Sequence, residues 1–100
     1  MTRSSKVERL WREHLQDIRS WVRGSEVDGI DLDLLDANTC QSVLTYIDSG
    51  TLGDWKLSTL RKCGDDLDRV VDLLDGEVKT YFERLRDMAR VVLVATERRS

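Results

Sequence analysis

The stretch that decides the fold is Asp54–Thr96, DWKLSTLRKCGDDLDRVVDLLDGEVKTYFERLRDMARVVLVAT. Residues in one series through it are spaced by alternating steps of three and four, and all are apolar except Gly64: Leu57, Leu60, Gly64, Leu67, Val71, Leu74, Val78, Tyr81, Leu85, Met88, Val92 and Ala95. This spacing is typical of an amphipathic helix that buries one face. Within this series, Leu67, Val71, Leu74, Leu85 and Met88 are the predicted core residues.

Two arrangements of this stretch agree with the spacing. A single helix would be roughly 64 Å long, too long to fold back on a core of its own, and would need a second chain. The alternative is a turn at Asp75-Gly76 between two helices of about 20 residues each. We favour the turn because glycine costs about 1 kcal/mol in a helix interior and Asp-Gly is a turn signal. Asp75 could cap a helix that begins at Gly76.

The first half of the chain contains signals for two more helices. Ser5 and Glu8 match a capping box, and a helix is predicted from Lys6 to Arg23, ended by Gly24. A second helix is predicted from Asp36 to Asp48, capped by Asp36 or Asn38 and closed by Gly50. Its predicted buried stripe consists of Cys40, Val43, Leu44 and Ile47. Asp54 is the predicted cap of the third helix.

The connector from Gly24 to Leu35 alternates apolar and acidic residues at Ile30 to Leu34. This alternation is locally strand-like, but no partner strand is evident elsewhere in the chain. We therefore expect an extended segment whose leucines pack onto the bundle. The predicted fold class is all-α, a small antiparallel bundle of about four helices with the third and fourth either continuous or separated by the turn. Residues 1–100 are predicted to form a single domain.

Composition excludes several classes of protein. The chain has 100 residues, of which 40% are hydrophobic and 35% are charged, and it contains no proline. Met1 to Lys6 lacks the apolar segment of a signal peptide, and no apolar run approaches the ~18 residues of a membrane span. We therefore expect a cytoplasmic protein with no membrane association and two reduced cysteines.

Charge is divided unevenly along the chain. The formal net charge is −3, made up of +3 in residues 1–23, −8 in residues 24–76 and +2 in residues 77–100. One interpretation is that neighbouring helices neutralise each other within the bundle. The other is an acidic face that meets a basic protein. Nucleic-acid binding is disfavoured because acidic residues are interleaved with the basic ones of the first and last helices.

No motif in the sequence indicates catalysis or a cofactor. His14 is the single histidine, and its place on an apolar stripe is typical of a core residue. One histidine and two isolated cysteines do not form a zinc ligand set, and the aspartates at 28–36 do not match a calcium-binding loop. Nucleotide-binding and nucleophile-elbow motifs are also missing. We expect no catalytic residues, no metal site and no cofactor.

Three function classes remain open. The favoured one is a non-enzymatic protein–protein interaction module that forms a homodimer by burying Val91 and Val94, because Val91 to Val94 would surround the fourth helix with apolar side chains. The second is an acidic inhibitor or immunity-type protein that binds a basic partner. The third is an enzyme or cofactor binder with a site inside the bundle. Residues that could contribute to an interaction surface are Val91, Val94, Trp55, Asp65, Asp66 and Asp68.

Overall fold

Four helices and one short hairpin make up the described part of the protein. The computed structural model describes residues 5–15, 21 and 23–98. In chain order the elements are α1 (Ser5–Leu15), β1 (Glu26–Val27), β2 (Ile30–Asp31), α2 (Leu32–Ser49), α3 (Asp54–Val71) and α4 (Gly76–Arg98). The predicted all-α bundle of about four helices is confirmed.

Helix α4 contacts each of the other three helices. Its 23 residues correspond to about 34 Å of helix, which fits the longest molecular dimension of 36 Å. Of the five predicted core residues, Leu67, Val71, Leu85 and Met88 are buried, and Leu74 is partly buried against the same core. The stripe in the second half of the chain therefore supplies much of the hydrophobic interior.

Helices α3 and α4 are separate, so the turn is confirmed and the continuous 43-residue helix is wrong. Helix α3 ends at Val71, and the Leu73 and Leu74 amides donate turn hydrogen bonds to the carbonyls of Val70 and Val71. Gly76 begins α4 with φ +65°, a left-handed conformation that favours glycine. The Asp75 carbonyl accepts a hydrogen bond from the Lys79 amide at 3.3 Å, which agrees with Asp75 preceding the helix.

The predicted unpaired connector contains a β-hairpin. Val27 pairs with Ile30, and Glu26 pairs with Asp31, in antiparallel register. Asp28 and Gly29 form the two-residue turn, with φ +54° and +77°. Positive φ at both positions is the geometry that Asp-Gly favours in tight hairpins. The expectation that this segment has no partner strand was wrong because the partner strand, Glu26–Val27, precedes Ile30–Asp31 by only the two turn residues.

Helix α2 begins at Leu32, four residues before the predicted start. The Asp31 carboxylate caps it by accepting a hydrogen bond from the Leu34 amide at 3.0 Å, so neither Asp36 nor Asn38 is the cap. The helix ends at Ser49, and Gly50, with φ +80°, closes it as predicted. Its buried residues are Leu32, Leu35, Thr39, Ser42, Val43 and Tyr46.

The predicted buried stripe of α2 was partly wrong. Val43 is buried, and Cys40 and Ile47 are partly buried, but Leu44 is 42% exposed. The true buried face includes Thr39 and Ser42. Because both are polar, hydrophobic spacing alone did not reveal the face.

Two helix ends also differ from the prediction. Helix α1 is described from Ser5 to Leu15, while Trp21 and Arg23 lie in a bend and a turn, so the helix does not extend to Arg23. The remainder of that predicted helix, residues 16–20 and 22, lies outside the described residues. Helix α3 is preceded by Gly53 without a side-chain cap, and Asp54 is its first residue rather than its cap.

Candidate functional site

Three helices bring four polar side chains together at one edge of the core. His14 comes from the C-terminal end of α1, Asp36 and Cys40 from α2, and Tyr81 from α4. Asp36 and Cys40 are four residues apart, a spacing that places both side chains on the same face of a helix. We call these four residues the His14 cluster.

The polar atoms of the His14 cluster converge on one carboxylate oxygen. Asp36 Oδ1 accepts a hydrogen bond from the Tyr81 hydroxyl at 2.9 Å and one from the Cys40 thiol at 3.5 Å. His14 Nε2 lies 3.7 Å from the same oxygen and 3.7 Å from Cys40 Sγ. The imidazole, thiol and carboxylate therefore form a close triangle.

Aromatic rings lie beside the histidine. The Tyr81 ring centroid lies 4.2 Å from that of His14, and the Trp11 ring lies 6.1 Å away. Trp21 extends the aromatic cluster through Tyr81 and Phe82, each at 4.9 Å. His14 is only 5% exposed, so its imidazole ring is largely shielded from water.

Asp36 is a charged group at the edge of this apolar region. Burial works to raise the pKa of Asp36, but contacts with His14, Tyr81 and Cys40 lower it by more, so the pKa lies below the ordinary value of 3.8. The carboxylate is therefore ionised at neutral pH. An ionised carboxylate beside an imidazole and a thiol is a donor set with affinity for cations.

The Asp33 carboxylate accepts hydrogen bonds from two residues that precede the hairpin. One carboxylate oxygen accepts a hydrogen bond from the Trp21 indole at 2.7 Å, and the other accepts one from the Gly24 amide at 2.8 Å. Trp21 and Gly24 are thereby both bonded to the first turn of α2. The Trp21 ring lies beside Tyr81 of the His14 cluster, with 4.9 Å between the ring centroids.

A separate cleft of about 500 Å³ lies between the hairpin, the first turns of α2 and one face of α3. Its apolar lining includes Ile30, Leu34, Leu35 and Trp55. Leu34 is 59% exposed and Trp55 is 75% exposed, so both are accessible to a partner. We call this surface the Trp55 cleft.

The Trp55 cleft also has charged and polar groups. Asp31 and Asp66 contribute carboxylates, and Lys62 pairs with Asp66 at 3.2 Å across one helical turn. Cys63 is buried at the cleft and lies beside Thr39, whose hydroxyl makes no hydrogen bond of good geometry to any of the described residues. Burial raises the pKa of the Cys63 thiol, so that thiol is neutral at pH 7.

The predicted interaction residues do not form one surface. Trp55 and Asp66 line the Trp55 cleft, whereas Asp65 is exposed outside its lining and Asp68 forms a 2.9 Å ion pair with Arg90 of α4. On α4, Val94 is 52% exposed. Val91 is partly buried and packs against the core, so it is not the fully outward-facing residue that the prediction required.

Sequence reasoning missed the His14 cluster as a unit. His14 was identified as a core residue, which its burial confirms, but its partners lie 22, 26 and 67 residues further along the chain. The available local signal was the spacing of Asp36 and Cys40 on one helix face. That spacing could suggest a pair of ligands but could not indicate which residues face them.

Comparisons with protein-family models, with curated protein sequences and with solved structures find no match to this chain. Among the described residues, no helix is long and apolar enough to cross a membrane.

Proposed function

We propose that the protein is a non-enzymatic interaction module that binds a basic segment of another protein in the Trp55 cleft. The observation that carries the proposal is the position of Trp55, which is 75% exposed at the rim of a cleft of about 500 Å³. Tryptophan is enriched among the residues that dominate binding energy, and a largely exposed ring has apolar area to bury. Leu34 extends this apolar area.

Charge selects the kind of partner. The cleft lies within residues 29–66, inside the segment 24–76 that has a net charge of −8. Asp31 and Asp66 line the cleft together with Lys62, which pairs with Asp66, and Asp54 is exposed next to Trp55 in sequence. A segment with lysine or arginine beside apolar side chains would match both properties. Such complementarity contributes to partner selection and association rate.

Affinity capture with matched baits tests this proposal. The wild-type protein, Trp55→Ala and Leu73→Ala would each be used to capture partners from native lysate at low and high salt. Leu73 is 60% exposed but does not line the cleft, so it controls for the loss of an exposed apolar side chain. Captured proteins would then be purified and titrated against each bait by calorimetry.

The expected result is a directly binding protein whose affinity falls at least about 30-fold with Trp55→Ala, as for a binding hot spot of about 2 kcal/mol. Leu73→Ala should leave the affinity unchanged, and salt should weaken binding because exposed charges are screened. Partners that bind equally well to all three baits would argue against the cleft as the binding surface.

The second candidate is self-association through α4, and the exposure of Val94 favours it. Two copies could bury this residue in a two-fold interface. The partial burial of Val91 reduces the apolar area that this face offers. For that reason, we place self-association second.

A further inference from the structure

Three potential metal ligands lie within one small volume, each offering a different donor atom. They are His14 Nε2, Asp36 Oδ1 and Cys40 Sγ, and all three atoms lie within 4.8 Å of one another. The carboxylate and the thiol come from one face of α2, and the imidazole reaches them from α1. None of these residues lines the Trp55 cleft, so this observation is independent of the proposed function.

The spacing of the three atoms matches the triangular face of a tetrahedral metal site. Zinc binds cysteine sulfur at ~2.3 Å and histidine nitrogen or carboxylate oxygen at ~2.0–2.2 Å, so tetrahedral ligand atoms lie roughly 3.3–3.6 Å apart. The separations here are 3.5 Å for sulfur to oxygen, 3.7 Å for sulfur to nitrogen and 3.7 Å for nitrogen to oxygen. If the longer of these distances shortened by a few tenths of an ångström, the three atoms would have the spacing of one face of a zinc tetrahedron.

The Asp36 carboxylate is supported in the way that metal-ligating carboxylates commonly are. The Tyr81 hydroxyl donates a 2.9 Å hydrogen bond to the same Asp36 oxygen, and ligating carboxylates are commonly held in this way. The His14 ring packs against the Tyr81 ring, whose centroid is 4.2 Å away, and His14 Nδ1 has no hydrogen-bond partner among the described residues. Asp36 and Cys40 are only partly buried, which leaves a route for an ion to enter.

We propose that His14, Asp36 and Cys40 bind a divalent transition-metal ion of the zinc type. A thiolate and an imidazole favour zinc or cobalt over magnesium or calcium, which prefer oxygen ligands. Three protein ligands leave a fourth tetrahedral position for water. Because α1 and α2 both contribute, the ion would join these two helices.

Binding the ion requires proton release. As the metal–sulfur bond forms, the Cys40 thiol gives up its proton to the buffer. His14 donates the Nε2 lone pair and carries its ring proton on Nδ1. Metal affinity should therefore increase with pH, as is general for sites that contain thiolates.

Cobalt titration of the metal-free protein tests the site directly. The protein would be stripped with a chelator, kept reduced with a non-thiol reductant and titrated with Co²⁺, which gives a charge-transfer absorption band when bound to a thiolate. Cys40→Ala removes the proposed ligand, and Cys63→Ala is the matched control because Cys63 is the other free cysteine and is not in the cluster. Circular dichroism would verify that each variant is folded.

A second measurement needs no substitution. His14 is the single histidine of the chain, so its ring gives one set of imidazole resonances in the NMR spectrum. One equivalent of Zn²⁺ should shift these resonances and raise the thermal unfolding midpoint, because an ion that binds the folded state stabilises it.

Tyr81→Phe should retain the cobalt band but weaken metal binding about 10–100-fold, as expected for a residue that supports a ligand.

The expected pattern is a cobalt band in the wild type and in Cys63→Ala, displaced by Zn²⁺, and its loss in Cys40→Ala. The proposal would be overturned by a folded wild type that shows no band at millimolar Co²⁺, or by a band that survives Cys40→Ala. If Cys40→Ala does not fold, the wild-type NMR titration decides, and His14 resonances that do not respond to Zn²⁺ would also overturn the site.

Discussion

The Tyr81 hydroxyl donates a 2.9 Å hydrogen bond to Asp36 Oδ1, joining two residues that are 45 positions apart in the chain. The contact fixes α4 against α2 at the point where His14 arrives from α1. It also contributes to lowering the pKa of Asp36 against the opposing effect of burial. A single phenol thus helps to hold a negative charge at the edge of an aromatic cluster.

Replacing Tyr81 with phenylalanine should destabilise the metal-free protein at neutral pH. A hydrogen bond to a charged group contributes about 1.5–3 kcal/mol to the free energy of unfolding. Because the folded-state pKa of Asp36 lies below its unfolded value, this stabilisation is present above the unfolded pKa and is lost as pH falls through the folded pKa. Urea unfolding in a chelator, at neutral and at acid pH, would measure the difference between wild type and variant at each pH.

Tyr46→Phe is a matched control for that experiment. Tyr46 is fully buried and Tyr81 is 7% exposed, but the Tyr46 hydroxyl has no hydrogen-bond partner among the described residues. Removing it should leave stability unchanged or raise it, because an unsatisfied buried hydroxyl is unfavourable. Equal losses in Tyr46→Phe and Tyr81→Phe, or a Tyr81→Phe effect that does not change with pH, would contradict this account of Asp36.

Local sequence determined the long helical segments well. The stripe through Leu67, Leu85 and Met88 indicated α3 and α4, and the Asp75-Gly76 signal indicated the break between them. Both features depend on residues close in sequence, so periodicity and turn chemistry were sufficient. The buried face of α2 was harder to predict because it contains the polar residues Thr39 and Ser42.

The hairpin could have been predicted, whereas the His14 cluster could not. Asp28-Gly29 stands between Val27 and Ile30, which is a strong hairpin signal. The cluster instead depends on how α1 and α4 pack on α2, and no spacing within one element specifies that. The residues of the His14 cluster are far apart in the chain, so the close cysteine and histidine spacings of zinc motifs gave no indication of the cluster.

Truncating the core stripe should cause a large loss of stability. Leu67 and Leu85 have no exposed area, and replacing either with alanine should lower the free energy of unfolding by about 2–5 kcal/mol. Leu44→Ala is the matched control, because this leucine also lies in a helix but is 42% exposed. Denaturant unfolding of the three variants would measure the effect. A Leu44→Ala loss as large as the others would mean that the described burial of α2 is incorrect.

The hairpin turn should be sensitive to the residue at position 29. Gly29 has φ +77°, so Gly29→Ala should cost about 1–2 kcal/mol from steric conflict in the left-handed region. Gly29→Asn should cost less, since asparagine tolerates this conformation better than other residues with side chains. A Cβ at this position meets no heavy atom within 4 Å, so crowding would not mask the comparison. Thermal or urea unfolding would rank the two variants, and the opposite order would refute the turn assignment.

Self-association, if α4 mediates it, should depend on Val94 more than on Val91. Val94 is 52% exposed, whereas Val91 packs against the core. Val94→Glu should therefore give a folded monomer, because it places a charge in the proposed interface without disturbing the interior. Val91→Glu should instead lower stability by burying part of a charge.

Light scattering coupled to gel filtration would report the oligomeric state, and circular dichroism would verify folding. Thr80→Glu, an exposed position at the other end of the same helix, controls for the added charge. A wild-type protein that is already monomeric at high micromolar concentration would rule out the homodimer. A dimer that persists in Val94→Glu would show that its interface does not include Val94.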